Sequence, residues 1–143
     1  MNPSWWKPLR AKVPRLTRRL RQPDERQQLG ERSEQLALRF LTSQGYRMKE
    51  RNVRFPVGEI DLIAWEGEAL CFIEVRSTSS LQWGGPLASV TDRKRRRLIR
   101  AARWYVERLR ELPLEMRFDV VAISWEGERA PTLELVRGAF DAG

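Results

Sequence analysis

Glu59, Asp61, Glu74 and Arg76 stand at alternating positions in two apolar runs, Gly58-Glu-Ile-Asp-Leu-Ile63 and Phe72-Ile-Glu-Val-Arg76. Carboxylates kept among apolar neighbours such as Ile63 and Phe72 call for a compensating charge. Arg76 supplies one cation, and a divalent ion can supply another. Carboxylate oxygens at close spacing suit Mg²⁺ or Mn²⁺, which take hard oxygen ligands in octahedral geometry. The chain has no histidine, which removes Ser-His-Asp and Cys-His catalysis, histidine general bases and histidine metal ligands together. Its one cysteine, Cys71, excludes an internal disulfide framework and a cysteine-rich zinc site. Any reaction carried out here rests on carboxylates, lysine, arginine, hydroxyls and a hard metal ion. The plainer reading of the same four residues is a surface ion-pair cluster, with Glu59 on Arg76 and the other two carboxylates solvated at a sheet end.

A hairpin turn decides whether these groups meet. Gly67-Glu68 suits a two-residue type II′ turn, with glycine at its first central position. That turn closes Glu66 on Ala69, sets Asp61 opposite Glu74 and sets Glu59 opposite Arg76. Opposed residues share a face of a sheet, so all four lie together, with Cα atoms of opposed pairs about 4.5–5.5 Å apart. A turn at Glu66-Gly67 pairs Asp61 with Phe72 but keeps the four on one face; a shift by a single residue separates them. Glu34 lies in a helix expected over 30–44, at spacing i, i+3, i+7 with Ala37 and Leu41, and it points toward the core from the first turn. There it can add a ligand or position a water. Gly45 ends that helix.

The other elements follow the same signals. Strands fit 46–55, 58–66 and 69–76. A loop with Trp83 and Gly84-Gly85-Pro86 leads to a helix over 91–111, capped by Thr91 and stopped before Pro113. Its apolar stripe is Leu98, Ala101, Ala102, Tyr105 and Leu109. Strands at 117–125 and 131–136 complete the order αβββαββ. The echo of Ala-Trp-Glu-Gly-Glu at 64–68 in Ser-Trp-Glu-Gly-Glu at 124–128 predicts two similar hairpin turns. Trp83 either stacks on an exposed base or caps the core. Asp119, in an otherwise apolar stretch, is expected to have a structural partner such as Arg117.

The chain's 143 residues fit one domain and can bury a core without staples. The net charge of +8 favours polyanionic partners, nucleic acid first. Residues 1–28 hold eight Lys/Arg against two acids, and four prolines interrupt them. They read as a disordered basic arm, or as a clamp on phosphates with Trp5 and Trp6 free to stack, ahead of a domain at 29–143. No apolar run approaches the roughly 18 residues of a membrane span, and no secretory signal opens the chain, so the expectation is a cytoplasmic protein.

The two runs that hold the carboxylates resemble those of the YraN-like bacterial family, which shares the restriction-endonuclease-like fold and is related to archaeal Holliday junction resolvases. The resemblance spans about 29–125. It includes Ser33-Glu34, Gly45-Tyr46, Arg51-Asn52, Thr91 with Lys94, Leu98, Ala101-Ala102 and Arg117-Phe-Asp-Val-Val121. It implies an α/β restriction-endonuclease-like core, a mixed central sheet with flanking helices. It also implies the PD-(D/E)XK nuclease pattern. Asp61 matches the aspartate at a strand start, Glu74 the acidic residue of the E-x-K step and Glu34 the helix glutamate of resolvases; Arg76 stands where the pattern has lysine. The implied function is a metal-dependent nuclease acting on branched DNA, with Glu34, Asp61, Glu74 and Arg76 as catalytic residues and Asp61 and Glu74 holding Mg²⁺ or Mn²⁺. Arg76 can offset charge but cannot give up a proton near neutral pH. Lys94 is a candidate to stand in for the lysine, against a reading that leaves it on a solvated basic face. Arg93, Lys94, Arg96 and Arg97 are expected to track phosphates. A homodimer is the expectation from the resolvases. The alternative function is a non-catalytic nucleic-acid-binding domain on the same fold, which the arginine at position 76 favours.

Overall fold

A computed structural model of the chain describes residues 25–78, 90–125, 127 and 129–142. The basic arm up to residue 24 and the loop with Trp83 lie outside the described residues. The elements are α1 (Glu25–Ser43), β1 (Arg47–Phe55), β2 (Gly58–Glu66), β3 (Ala69–Thr78), α2 (Asp92–Val106), β4 (Glu115–Ser124) and β5 (Thr132–Phe140), in the order expected. They build one five-stranded sheet, β1-β2-β3-β4-β5. It is mixed: β3 and β4 run parallel, joined across α2, and the other neighbours are antiparallel. On one face Ala37 and Leu41 of α1 pack with Leu62, Ala64, Cys71, Ile73, Val121 and Ile123. On the other, Leu98, Ala101, Ala102 and Tyr105 of α2 pack with Ile60, Ile63, Leu70, Phe72 and Phe118. Burial on both faces explains why β2 and β3 read as nearly continuous apolar runs. No helix among the described residues is long and apolar enough to cross a membrane.

α1 begins at Glu25 rather than at 30, so it takes in the end of the segment expected to be an arm. Gly30, at about 1 kcal/mol less favourable than alanine in a helix, does not stop it, because the helix continues into the Ala37 and Leu41 contact with the sheet. Its end is as expected. Gly45 has φ 97°, Gly45 N–H donates to the Thr42 carbonyl, and Tyr46 N–H donates to that of Leu41. This pair of bonds is the Schellman arrangement, which needs a residue at ease in the left-handed region. α2 starts at its expected cap but ends at Val106, short of 111. Arg108 donates to the Trp104 carbonyl at 2.6 Å and its guanidinium lies over the Trp104 ring, so the last turn is capped early, and Leu109 reaches the core from a turn.

The two echoed segments differ in structure. Gly67-Glu68 closes Glu66 directly on Ala69, whereas Ser124 pairs with Thr132 across a longer loop, although Gly67 and Gly127 share φ 58°. β5 runs on to Phe140, past 136, because its pairing with β4 shifts register between Phe118 and Val120. Asp119 fills the gap by accepting the Gly138 N–H at 3.0 Å. Asp119 is 1% exposed and also accepts from Tyr46 Oη at 2.8 Å and from Arg117 through both its oxygens at 2.8 and 2.9 Å. Arg117 continues to Glu66, which holds Arg137 as well. The expected Asp119–Arg117 partnership thus ties β4 to Glu66 of β2 and to Gly138 of β5. Asp119→Ala strands a buried tyrosine hydroxyl and a guanidinium, and we expect it to lower unfolding free energy by about 3 kcal/mol. Urea denaturation measures this; a loss close to that of an exposed substitution would mean the cluster is dispensable.

Candidate active site

The β2–β3 ladder runs from Glu66–Ala69 to Leu62–Ile73, the register that the Gly67-Glu68 turn dictates. Just beyond the last paired residues come Asp61 of β2 and Glu74 of β3. There the Asp61 carboxylate accepts the Val75 N–H at 2.9 Å, and it bears on the Glu74 carboxylate. Glu74 is 3% exposed and follows Phe72 on the α2 side of the central strand, paired in register with Val120 of β4. Local irregularity shapes the Asp61 position. Ile60 and Ile63 both pack on the α2 side, so strict alternation fails between them. In the facing strand Arg51 pairs with Leu62 and Val53 with Ile60, which leaves Asn52 opposite Asp61. Asn52 has φ 48°, a region asparagine tolerates better than most residues.

Asn52 also carries the link to Glu34. Its Nδ2 donates to Glu34 Oε2 at 3.2 Å. The neighbouring Ser33 is buried and donates to Ser77 Oγ at 3.1 Å, and the Trp125 indole donates to Ser77 at 2.9 Å. α1 is therefore pinned to the end of β3 just beyond the carboxylate pair. Glu34 is half-buried and adjoins the site through Asn52.

The cation nearest the carboxylates comes from α2. Lys94 Nζ lies 2.7 Å from Glu74 Oε1, and Arg76 Nη1 lies 3.8 Å from the same oxygen. Two features put Lys94 there. Thr91 caps the helix by accepting the Lys94 N–H at 3.2 Å, which fixes that residue in the first turn. Gly58 opens β2 directly beneath the helix: a Cβ on it would sit 3.0 Å from the Arg97 carbonyl oxygen and 3.6 Å from Ala101 Cβ. The missing side chain lets α2 settle on β2. Lys94 thus belongs to the carboxylate cluster rather than to a solvated face. Arg93, Arg96, Arg97 and Arg100 are exposed on α2 around it, while the Arg95 guanidinium is turned back to the Val90 carbonyl and the Phe140 ring. Glu59, expected opposite Arg76, faces Arg54, and their ion pair is exposed and long at 3.5 Å. Its contribution to stability is small.

Burial, reinforced by the neighbouring Glu74, pushes the Asp61 carboxyl up to about 7; the Val75 N–H and the Lys94 ammonium pull the other way. A carboxyl that holds its proton more tightly folded than unfolded adds stability at acid pH. That contribution disappears as pH rises from about 4 through about 7. In the absence of divalent ions we expect Asp61→Asn to flatten this fall and to exceed the wild type by about 2 kcal/mol near pH 8. Thermal unfolding in chelator across pH measures it; equal pH profiles for the two proteins would contradict the buried repulsion.

Among the described residues no group of three or more acidic or cysteine side chains stands close enough to hold a metal ion. Asp61 and Glu74 are a pair. A pair is adequate for Mg²⁺, which keeps several waters and takes one or two protein carboxylates. Hard oxygen donors, one of them held in a costly repulsion, fit such an ion.

The family model of the uncharacterised protein family UPF0102 matches residues 33–123. The chain is 43% identical over 119 residues to a UPF0102 protein of Desulfosudis oleivorans, covering 83% of this chain and 94% of that one. It is 41% identical over 121 residues to a UPF0102 protein of Myxococcus xanthus, covering 85% and 95%. A third, from Symbiobacterium thermophilum, is 45% identical over 114 residues, covering 80% and 97%.

Proposed function

The chain belongs to the UPF0102 family, and we propose that it is a metal-dependent nuclease on a restriction-endonuclease-like fold, acting on branched DNA. The observation that carries this reading is that the Asp61 carboxylate bears on that of Glu74, with the Lys94 ammonium 2.7 Å from Glu74. A domain that only bound a polyanion would gain nothing from two partly or wholly buried carboxylates beside its basic helix. Asp61 and Glu74 are the residues that would hold Mg²⁺ or Mn²⁺. When bound, the ion polarises the scissile phosphate and acidifies a water.

Each remaining side chain has a role that its placement suits. Lys94 can donate to the attacking water and offset charge on the phosphate, which is the work of the missing strand lysine. Arg76, half-buried beside Glu74, can hold a phosphate oxygen pair with its planar fork. Glu34, steadied by Asn52, can orient a water at the edge of the pair. Arg93, Arg96, Arg97 and Arg100 recur at three- and four-residue spacing, so they line one side of α2 beside the site and can follow a phosphate backbone. Arginine in place of the strand lysine favours the second reading, binding without cleavage, and Lys94 weighs against it.

Single-turnover incubation of a labelled four-way junction with Mg²⁺ or Mn²⁺ tests the proposal. Cut junction is the expected result; a chain that binds the junction and leaves it whole with every metal is a binding module. Binding itself should be salt-sensitive and stronger for junctions and flaps than for plain duplex. Between about 50 and about 200 mM salt, affinity should fall by a factor of at least about ten. Residues 1–24 hold seven Lys/Arg against one acid. Removing them leaves α1 whole and should flatten the salt slope. Affinity independent of salt would end the polyanion reading.

A further inference from the structure

We propose that the C-terminal half of α2 and the loop after it form a two-fold interface with a second copy of this chain. Leu112 and Leu114, either side of Pro113, are 75% and 83% exposed, and Met116 is 51% exposed. They are the large hydrophobic side chains most exposed among the described residues, and together they form a protruding apolar knob. Beside it, among the described residues, α2 leaves the α2 side of β4 and β5 uncovered. A groove of about 350 Å³ lies there, lined by Phe72, Ile99, Val106, Phe118 and Phe140, with Met116 at its edge. A knob and a hole side by side on one molecule are satisfied together when a second copy is related by a two-fold axis, each knob entering the other's groove.

The charge pattern selects the same partner. The first part of α2, residues 92–100, carries six Lys/Arg against Asp92 and would repel its own copy. Residues 107–115 carry Glu107, Glu111 and Glu115 against Arg108 and Arg110. Both signs around an apolar centre make a patch complementary to itself, as a two-fold contact requires, and they suit a polyanion poorly. The interface leaves the basic half of α2 and the carboxylate pair outside it, and it does not depend on the proposed nuclease activity.

Sedimentation equilibrium of the full chain, without nucleic acid, tests this directly. The wild type should be a dimer, and Leu112→Glu with Leu114→Glu should weaken association by about thirtyfold or more. Both leucines are exposed, so the double variant should keep the wild-type melting temperature when dilute. The seating is tested by mixing Leu114→Cys with Val106→Cys copies of different tagged mass under mild oxidation. Cys71 is buried, with its thiol pushed up to about 12, and stays out of the reaction. A disulfide between the two different variants is expected. A monomeric wild type, an unchanged dimer in the double leucine variant, or cross-linking confined to like positions each overturns the proposal. So does a dimer that appears only after residues 1–24 are removed, which would assign the groove to the arm.

Discussion

Neither Asp61→Asn nor Glu74→Gln should bind Mn²⁺ measurably, and neither should cut a junction, while both keep the fold. The expectation follows from what each carboxylate has now. Asp61 is bonded through one oxygen to the Val75 N–H and faces Glu74; Glu74 is almost fully buried and leans on Lys94. A hard ion between them replaces repulsion by shared attraction, and half of a two-carboxylate site lacks both the charge and the donors to retain it. Neutral amides of the same shape keep the packing, so circular dichroism and melting should remain close to the wild type or improve, in line with the pH behaviour of Asp61. Loss of cleavage should exceed a thousandfold, since polarisation of the phosphate and generation of the nucleophile disappear together. Calorimetry with Mn²⁺ separates this from a mere relief of repulsion. Equal affinity in all three proteins would remove Asp61 and Glu74 from any metal site, whereas stabilised variants together with a wild type blind to Mn²⁺ would make the pair a structural expense.

The register of the β2–β3 hairpin was legible because it depends on one local device. A two-residue glycine turn counts outward without reference to the rest of the fold, and the β2–β3 ladder keeps that count down to Leu62–Ile73. The apolar runs of β2 and β3 likewise revealed central strands. What sequence reasoning missed is non-local. Glu59 turns to Arg54 because β1 is its other neighbour, and nothing in the spacing of 59 and 76 speaks of β1. β5 outruns its apolar pattern because the Asp119 carboxylate substitutes for a backbone partner at Gly138. Sequence reasoning makes Lys94 a candidate to stand in for the strand lysine, but its reach to Glu74 crosses a helix–sheet packing distance set by Gly58, which composition alone does not reveal. Its one local signal is the Thr91 cap, which fixes the residue three positions later in the first turn. YraN-like membership, expected from the motifs, agrees with the UPF0102 match over residues 33–123.

Lys94 and Arg76 should then differ sharply when each is replaced. Lys94→Gln should lower single-turnover cleavage about a hundredfold or more, the loss typical of one well-placed donor to developing charge. Arg76→Ala should lower it less, because its guanidinium stands 3.8 Å from Glu74 where the ammonium stands 2.7 Å away. Arg76→Lys alone should maintain or raise the rate. A guanidinium stays charged at every working pH and grips a phosphate through its fork, but an ammonium is compact, approaches a water closely and can shift its pKa when partly buried. The decisive protein is the exchange, Lys94→Gln with Arg76→Lys, which returns the ammonium to the strand while emptying its place on the helix. Cleavage recovering most of the way from the Lys94→Gln level would mean that the two positions serve one function and that α2 has taken over the strand's lysine. No recovery, with junction binding and melting temperature unchanged, would make Lys94 a counter-charge to Glu74 rather than a donor to the reaction. If Lys94→Gln cleaves as fast as the wild type, the ammonium has no part in the chemistry, and Arg76 must supply whatever cation the reaction uses.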